Sequence, residues 1–254
     1  MTSKRTFLVG ISGASSSGKT TVARLVNSLL PNSVLIHQDD FYYPDDKIPY
    51  DEARGESNWD SADAVDFPKL IHTLKEIKAD PETVYHVDSL ELDDHKKFSL
   101  DENFVEAMKT FVSEQEKTNG LDNVRIVILD GFLLFNNTEV LDLLDAKFFF
   151  TAKYQTLKDR RAARHGYNTI AGFWVDPPNY FDNFVWAEYF LNHKHLFKKD
   201  TADLETHVKE TGGVIATSEI QQFQNENDTN VDQLVSSVIK AITRKIGDIT
   251  LDSI

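Results

Sequence analysis

The strongest chemistry in the chain sits near its amino terminus. Gly13-Ala14-Ser15-Ser16-Ser17-Gly18-Lys19-Thr20 fits the pattern G-x-x-x-x-G-K-[ST], after a short apolar run and before an amphipathic stretch. Glycines let the backbone curl so that successive N–H groups face phosphate oxygens, and the start of a helix adds partial positive charge. The stretch from Ser12 to Thr20 is therefore expected to cradle the phosphates of a nucleotide. Lys19 should reach the β and γ phosphates, and the Thr20 hydroxyl should ligate Mg²⁺.

Two sets of carboxylates follow. His37-Gln38-Asp39-Asp40-Phe41 comes directly after a second apolar run, and Asp130 ends a third in Val127-Ile128-Leu129-Asp130-Gly131-Phe132. In open α/β folds ligands gather at the carboxyl ends of strands, so both sets should face the phosphate loop. One acid of the Asp39-Asp40 pair should act as base toward a hydroxyl acceptor, and Asp130 should hold Mg²⁺ directly or through water. Further along, Lys158-Asp159-Arg160-Arg161-Ala162-Ala163-Arg164-His165 reads as helix. Arg160 and Arg164 then share a face, and Arg161 points about 100° away at about 3.6 residues per turn. One helix could thus address ATP phosphates with Arg160 and Arg164 and the acceptor with Arg161, neutralising charge during phosphoryl transfer.

Aromatic residues gather around these segments, among them Tyr42, Trp59, Tyr167, Trp174 and Tyr180. Most are expected to serve packing. In Trp59-Asp60 a flat ring stands beside a carboxylate, a pairing that could stack a base and accept hydrogen bonds from a ribose diol, with added gain for a cationic ring. His193 and His195 lack the spacing of a helical zinc pair, and a surface helix is the expectation there.

The elements that must position these groups read as alternating strands and helices. Apolar runs at 7–11, 33–37, 125–129 and 146–151 are expected as buried parallel strands, with a last strand at 214–217. Helical patterns occupy 20–30, 64–77 and 231–246, which implies βαβ units. At 254 residues one domain is expected, with an insertion at about 91–122 that carries an amphipathic helix around Phe104, Met108 and Phe111. With 27 Lys and Arg against 41 Asp and Glu, the net charge of −14 opposes attraction to nucleic acid. Cysteine is absent, so disulfides and thiolate chemistry are excluded. The amino terminus has neither a signal peptide's apolar run nor a membrane span, so a cytoplasmic protein without a membrane partner is expected.

Taken together, GISGASSSGKTT, QDDF, WD, LDGFLLF, RRAAR and the Pro177-Pro178, Tyr180-Phe181-Asp182 and Val185-Trp186 segments occur in the order seen in nicotinamide riboside kinases, and the chain resembles that family over about residues 6–190. The resemblance implies an α/β fold of the P-loop NTPase type, a parallel sheet flanked by helices with a helical lid. It implies ATP and Mg²⁺ at Ser12, Gly13, Ala14, Ser15, Ser16, Ser17, Gly18, Lys19 and Thr20, phosphate contacts from Arg160 and Arg164, and Asp39 as base, with Thr20, Asp39 and Asp130 around the metal. It further implies a nucleoside acceptor lined by Asp39, Asp40 and Phe41, ribose contacts from Asp60 and Arg161, and ring stacking by Trp59 and Tyr167. Two positions depart from the family's usual residues: Asp130 stands where Glu is common and Trp59 where Tyr is common. Uridine- and pantothenate-type kinases share the fold and the loop, so neither chooses the acceptor. A nucleotide-binding switch would share the loop as well, but it has no use for a paired base and acceptor-binding acid. An adenine contact near 229–231 is expected from its place before the last helix.

Overall fold

A computed structural model describes residues 5–85, 100–169, 172–199 and 201–251; residues 91–99 of the expected insertion lie outside the described residues. Strand β1 (Arg5–Gly13) runs into helix α1 (Lys19–Leu29), followed by β2 (Ser33–His37), the short pair β3 (Tyr50–Asp51) and β4 (Glu56–Ser57), and α2 (Phe67–Ala79). Then come α3 (Glu102–Asn119), β5 (Val124–Gly131), α4 (Thr138–Leu143), β6 (Ala146–Thr151) and α5 (Tyr154–Ala162). The hairpin β7 (Tyr167–Asn168) and β8 (Phe173–Trp174), helices α6 (Trp186–His193) and α7 (Leu204–Thr211), β9 (Gln221–Gln224) and α8 (Val231–Leu251) complete the order.

Five parallel strands form the sheet in the order β2-β5-β1-β6-β9. Its central strands are apolar on both faces because helices cover both. Leu8, Val127, Leu129 and Phe149 pack with α2, α4 and α6, whereas Val9, Ile11, Ile126, Ile128 and Phe150 pack with α1, α3 and α8. Helix α3 belongs to the second layer through Met108 and Val112, and Asp101 caps its start by accepting from Phe104 N. Helix α2 begins later than the periodicity predicts: Asp66 accepts from Lys69 N as its cap, and residues 62–64 form a separate turn.

Two expectations are corrected. The last strand is β9, and residues 214–217 form a loop whose Ile215 bridges Phe197. His193 lies on an inward face, 1% exposed, with its ring 5.2 Å from that of Phe149 and its Nδ1 donating to Tyr189 O at 2.8 Å. Burial pulls its pKa down to about 4, so it is a neutral core residue. Among the described residues no helix is long and apolar enough to cross a membrane.

Candidate active site

Strands β1, β2 and β5 end along one edge of the sheet, and the chemistry collects there. The phosphate loop leaves β1 at Gly13, whose φ of 141° brings it so close to β6 that a Cβ would lie 2.1 Å from Phe150 O. Gly18 takes a left-handed φ of 86° at the start of α1. Asn225, beyond β9, fills the space against Gly18 and donates from Nδ2 to Ser17 O at 2.8 Å. On the other side, the Ser12 hydroxyl accepts from Leu134 N at 3.3 Å. Lys19 is buried, and the hydroxyls of Ser16 and Ser17 are buried without a partner, as donors awaiting phosphate oxygens would be.

Asp130 is the penultimate residue of β5, with His37 Nδ1 donating to its Oδ2 at 3.1 Å. Burial alone would raise this carboxyl; the His37 hydrogen bond, the Lys19 charge and the Thr20 hydroxyl outweigh it and hold the pKa below the ordinary value. Oδ1 is buried and has no protein partner. An ionised carboxylate with an orphaned oxygen beside a hydroxyl is an all-oxygen donor set that fits Mg²⁺. No cluster of three acidic or imidazole ligands exists among the described residues, so phosphate and water would complete the coordination.

Asp39 and Asp40 occupy a 3₁₀ turn, Gln38–Phe41, pinned where Gln38 Oε1 accepts from Leu133 N at 2.9 Å. The two acids act on different surroundings. Desolvation lifts the Tyr42 hydroxyl far above its usual range, and the charges of Asp39 and then Asp60 add to that. Asp40 acts instead on Tyr85, whose hydroxyl burial also raises. Phe41, expected at the acceptor, is 1% exposed and stacks on Tyr85 at 5.9 Å, so it anchors the turn in the core.

Helix α5 ends at Ala162, sooner than expected. Arg160 donates to Asn227 Oδ1 (3.1 Å) and Asn225 O (2.9 Å), beside a cavity of ≈ 550 Å³ lined by Lys153, Thr156, Glu226, Asn227 and Thr229. Arg164 lies past the helix end and does not share the Arg160 face; its guanidinium sits 5.3 Å above the Tyr167 ring. Arg161 turns inward and is 7% exposed. Its Nη1 donates to Ser15 Oγ in the phosphate loop at 2.8 Å, and its Nη2 meets Asp60 Oδ2 at 3.4 Å. Nε and Nη2 also clasp Asp176 at 2.6 and 3.0 Å. Burial would lower this arginine's pKa, but Asp60 and Asp176 raise it above the ordinary value.

Around that guanidinium stand the rings. Tyr167 lies 4.7 Å beneath it, Tyr42 and Trp174 flank Trp59 at 5.6 and 6.0 Å, and Tyr180 packs on Trp174 at 5.5 Å. The Tyr180 hydroxyl accepts from Trp59 N and donates to Ser57 O, tying the Trp59-Asp60 loop to the segment before α6. The Trp59 Nε1 and Tyr167 hydroxyl are buried without partners. Sequence reasoning missed Asp176, Asn225 and His37. Asp176 and Asn225 lie on no chemical motif, and His37 stands in the sequence only as the flank of the Asp pair. The one available signal is that His37 and Asp130 both close apolar runs of the sequence.

The sequence pattern of the Phosphoribulokinase / Uridine kinase family matches residues 8–165. The nicotinamide riboside kinase of Saccharomyces cerevisiae is 38% identical over 98% of this chain and 100% of its own length. That of Eremothecium gossypii is 35% identical over 93% of this chain and 92% of its own, and that of Schizosaccharomyces pombe 34% identical over 76% and 82%. A phosphate loop, an Asp at the end of the third apolar run and a buried arginine joined to an aromatic cluster thus stand on a chain that matches the Saccharomyces cerevisiae enzyme over nearly all of its length, and the chain belongs to the Phosphoribulokinase / Uridine kinase family and, within it, to the nicotinamide riboside kinases.

Proposed function

We propose that the chain is one catalytic domain that transfers the γ-phosphate of ATP to the ribose 5′-hydroxyl of nicotinamide riboside, and also of nicotinic acid riboside, forming the mononucleotides used for NAD synthesis. The observation that carries this reading is the Arg161 guanidinium, bonded at one end to Ser15 of the phosphate loop and at the other to Asp60 in the aromatic cluster. A single rigid group thereby spans the donor and acceptor sides, which is what an in-line transfer needs. Asp60 and Arg161 hold the ribose diol, Trp59 and Tyr167 take the pyridinium ring, and Asp39 accepts the 5′-hydroxyl proton as attack proceeds. Lys19 follows the γ-phosphoryl group, Arg160 and Arg164 neutralise the phosphate oxygens, and the cavity beside Thr229 accepts the adenine. Thr20 and Asp130 would hold Mg²⁺, which shields phosphate charge. A reaction drawing on ATP and a soluble nucleoside suits the cytoplasm, where we propose it occurs.

The test is product analysis. The protein, incubated with ATP, Mg²⁺ and nicotinamide riboside, should form the mononucleotide and ADP in equal amounts, read by chromatography. Phosphorylation of uridine or pantothenate in preference to nicotinamide riboside, or ATP hydrolysis with no phosphorylated acceptor, would refute the assignment.

A further inference from the structure

His37 has no part in the transfer as described above, yet its side chain is bonded to the acid beside the phosphate loop. It closes β2, and the parallel register sets it directly across from Asp130 on β5. The pair is nearly shut off from solvent, with Asp130 4% and His37 8% exposed. An ionised carboxylate only accepts, so His37 Nδ1, 3.1 Å from Asp130 Oδ2, carries the proton of their bond. Oδ1 of the same carboxylate is buried with no protein partner. The Lys19 charge and the Thr20 hydroxyl bear on this carboxyl as well, so it stands where the phosphate loop turns into α1.

Left to itself, such a carboxylate would be poorly oriented. The last torsion of an aspartate is broad and roughly two-fold, so its oxygens exchange places unless one is held. Strand pairing does not need the bond, because β2 and β5 are already joined by a backbone ladder over residues 33–37 and 126–130. We infer that His37 is a positioning residue for the metal: by engaging Asp130 Oδ2 it locks the carboxylate and presents Oδ1, with the Thr20 hydroxyl, to Mg²⁺. The inference rests on the placement of Mg²⁺ at Thr20 and Asp130 proposed above. A hydrogen bond to the outer side of a metal-binding acid orients it and tunes its affinity. His37 also leads directly into the Gln38–Phe41 turn that bears Asp39. One bond thereby holds the metal acid against the strand end from which the proposed base departs, as a transfer that depends on positioning requires.

Mn²⁺, which takes the same oxygen ligands as Mg²⁺, serves as the probe. Its binding to the complex of protein and ADP, without acceptor, is read by electron paramagnetic resonance in wild type, His37→Leu, His37→Asn and Asp130→Asn. His37→Leu should weaken Mn²⁺ binding about 10–100-fold, while ADP affinity measured in EDTA stays as in the wild type. His37→Asn, whose amide nitrogen takes the place of Nδ1, should bind Mn²⁺ close to the wild type. In steady state, His37→Leu should need correspondingly more Mg²⁺ to reach half its maximal rate. Unchanged Mn²⁺ binding in His37→Leu, or His37→Asn as weak as His37→Leu, would overturn the inference and leave the riboside kinase reading standing. Equal losses of Mn²⁺ and of metal-free ADP would show His37 to be only a brace and overturn it too. If Asp130→Asn binds Mn²⁺ as the wild type does, the placement of the metal falls and the inference with it. If thermal unfolding shows that His37→Leu does not fold, His37→Gln, with its amide one carbon farther out, serves in its place.

Discussion

Replacing Arg161 by methionine keeps most of the volume and deletes the charge around which the site is assembled. The guanidinium donates to Asp176 at two points, to Asp60 and to Ser15, and it lies 4.7 Å from the Tyr167 ring and 5.7 Å from that of Tyr180. Without it, two carboxylates only 8% and 22% exposed are left facing each other with no cation between them. Breaking a buried pair from one side costs about 3–5 kcal/mol, a large share of a stability of about 5–15 kcal/mol. The loss carries a pH signature. With Arg161 present, burial already raises the Asp60 pKa; with Arg161 gone, nothing on the guanidinium side opposes that rise. A carboxyl whose folded pKa exceeds its unfolded value of about 3.9 binds protons preferentially in the folded state, so folding is favoured as pH falls toward that value. Urea unfolding of Arg161→Met should therefore show the full deficit at pH 7.5 and a smaller one at pH 5. Adding Asp176→Asn should restore part of it at pH 7.5, since one unpaired acid is removed. A deficit under about 1 kcal/mol at both pH values, or one that Asp176→Asn leaves untouched, would refute the picture of a shared buried cation.

Three further outcomes are expected. Asp39→Asn should lower kcat on the order of 10²-fold or more with little change in stability, and Asp40→Asn should not; the reverse result in a steady-state assay would move the base to Asp40. Asp60→Ala should cost roughly 1.5–3 kcal/mol, mostly in the acceptor's KM, and 2′-deoxy acceptor should add little further loss to the mutant; fully additive losses would remove Asp60 from the ribose. His193, held neutral with its pKa pulled down to about 4, binds a proton more readily when unfolded, so it lowers stability progressively as pH falls from about 6.5 to 4, by on the order of 3 kcal/mol at the limit. His193→Phe should flatten that part of the pH–stability curve, and an unchanged slope in urea unfolding between pH 7 and pH 5 would contradict it.

The parts of the fold that sequence made legible are those dictated by local rules. Residues 13–20 declared a phosphate loop because only glycine tolerates the φ at Gly13 and Gly18, and the doubly covered strands announced themselves as unbroken apolar runs. Strand β9 is glutamine-rich and stayed hidden because it pairs only with β6. At an edge, Gln222 serves by donating to Thr151 Oγ1 and Gly213 O, and Phe223 alone packs inward, against Phe148 and Phe150. Within the site, sequence motifs point to local stretches and carry no sign of residues recruited from afar. Asn225 reaches the phosphate loop across 208 positions of chain, a partnership no periodicity or spacing encodes. The end of α5 at Ala162 likewise follows from where Arg161 is captured, since the sequence Ala162-Ala163 offers helix no reason to stop.

The order of strands has a consequence for how the chain is born. Neither β1 nor β2 pairs with the other; both pair with β5, which ends at Gly131, and β1 otherwise pairs only with β6. On a ribosome the loop that follows β1 emerges before α1, β2, α2 and α3, yet its strand has no sheet neighbour to join until β5 has followed them. At translation rates of about 5–20 residues per second that interval is on the order of ten seconds, during which apolar segments remain uncovered. Nascent chains arrested before β5 should accordingly be open to protease and unable to retain nucleotide, and those arrested beyond β6 should begin to resist. The arrangement that puts the nucleotide loop at the centre of the finished sheet thus makes its assembly wait on the ribosome.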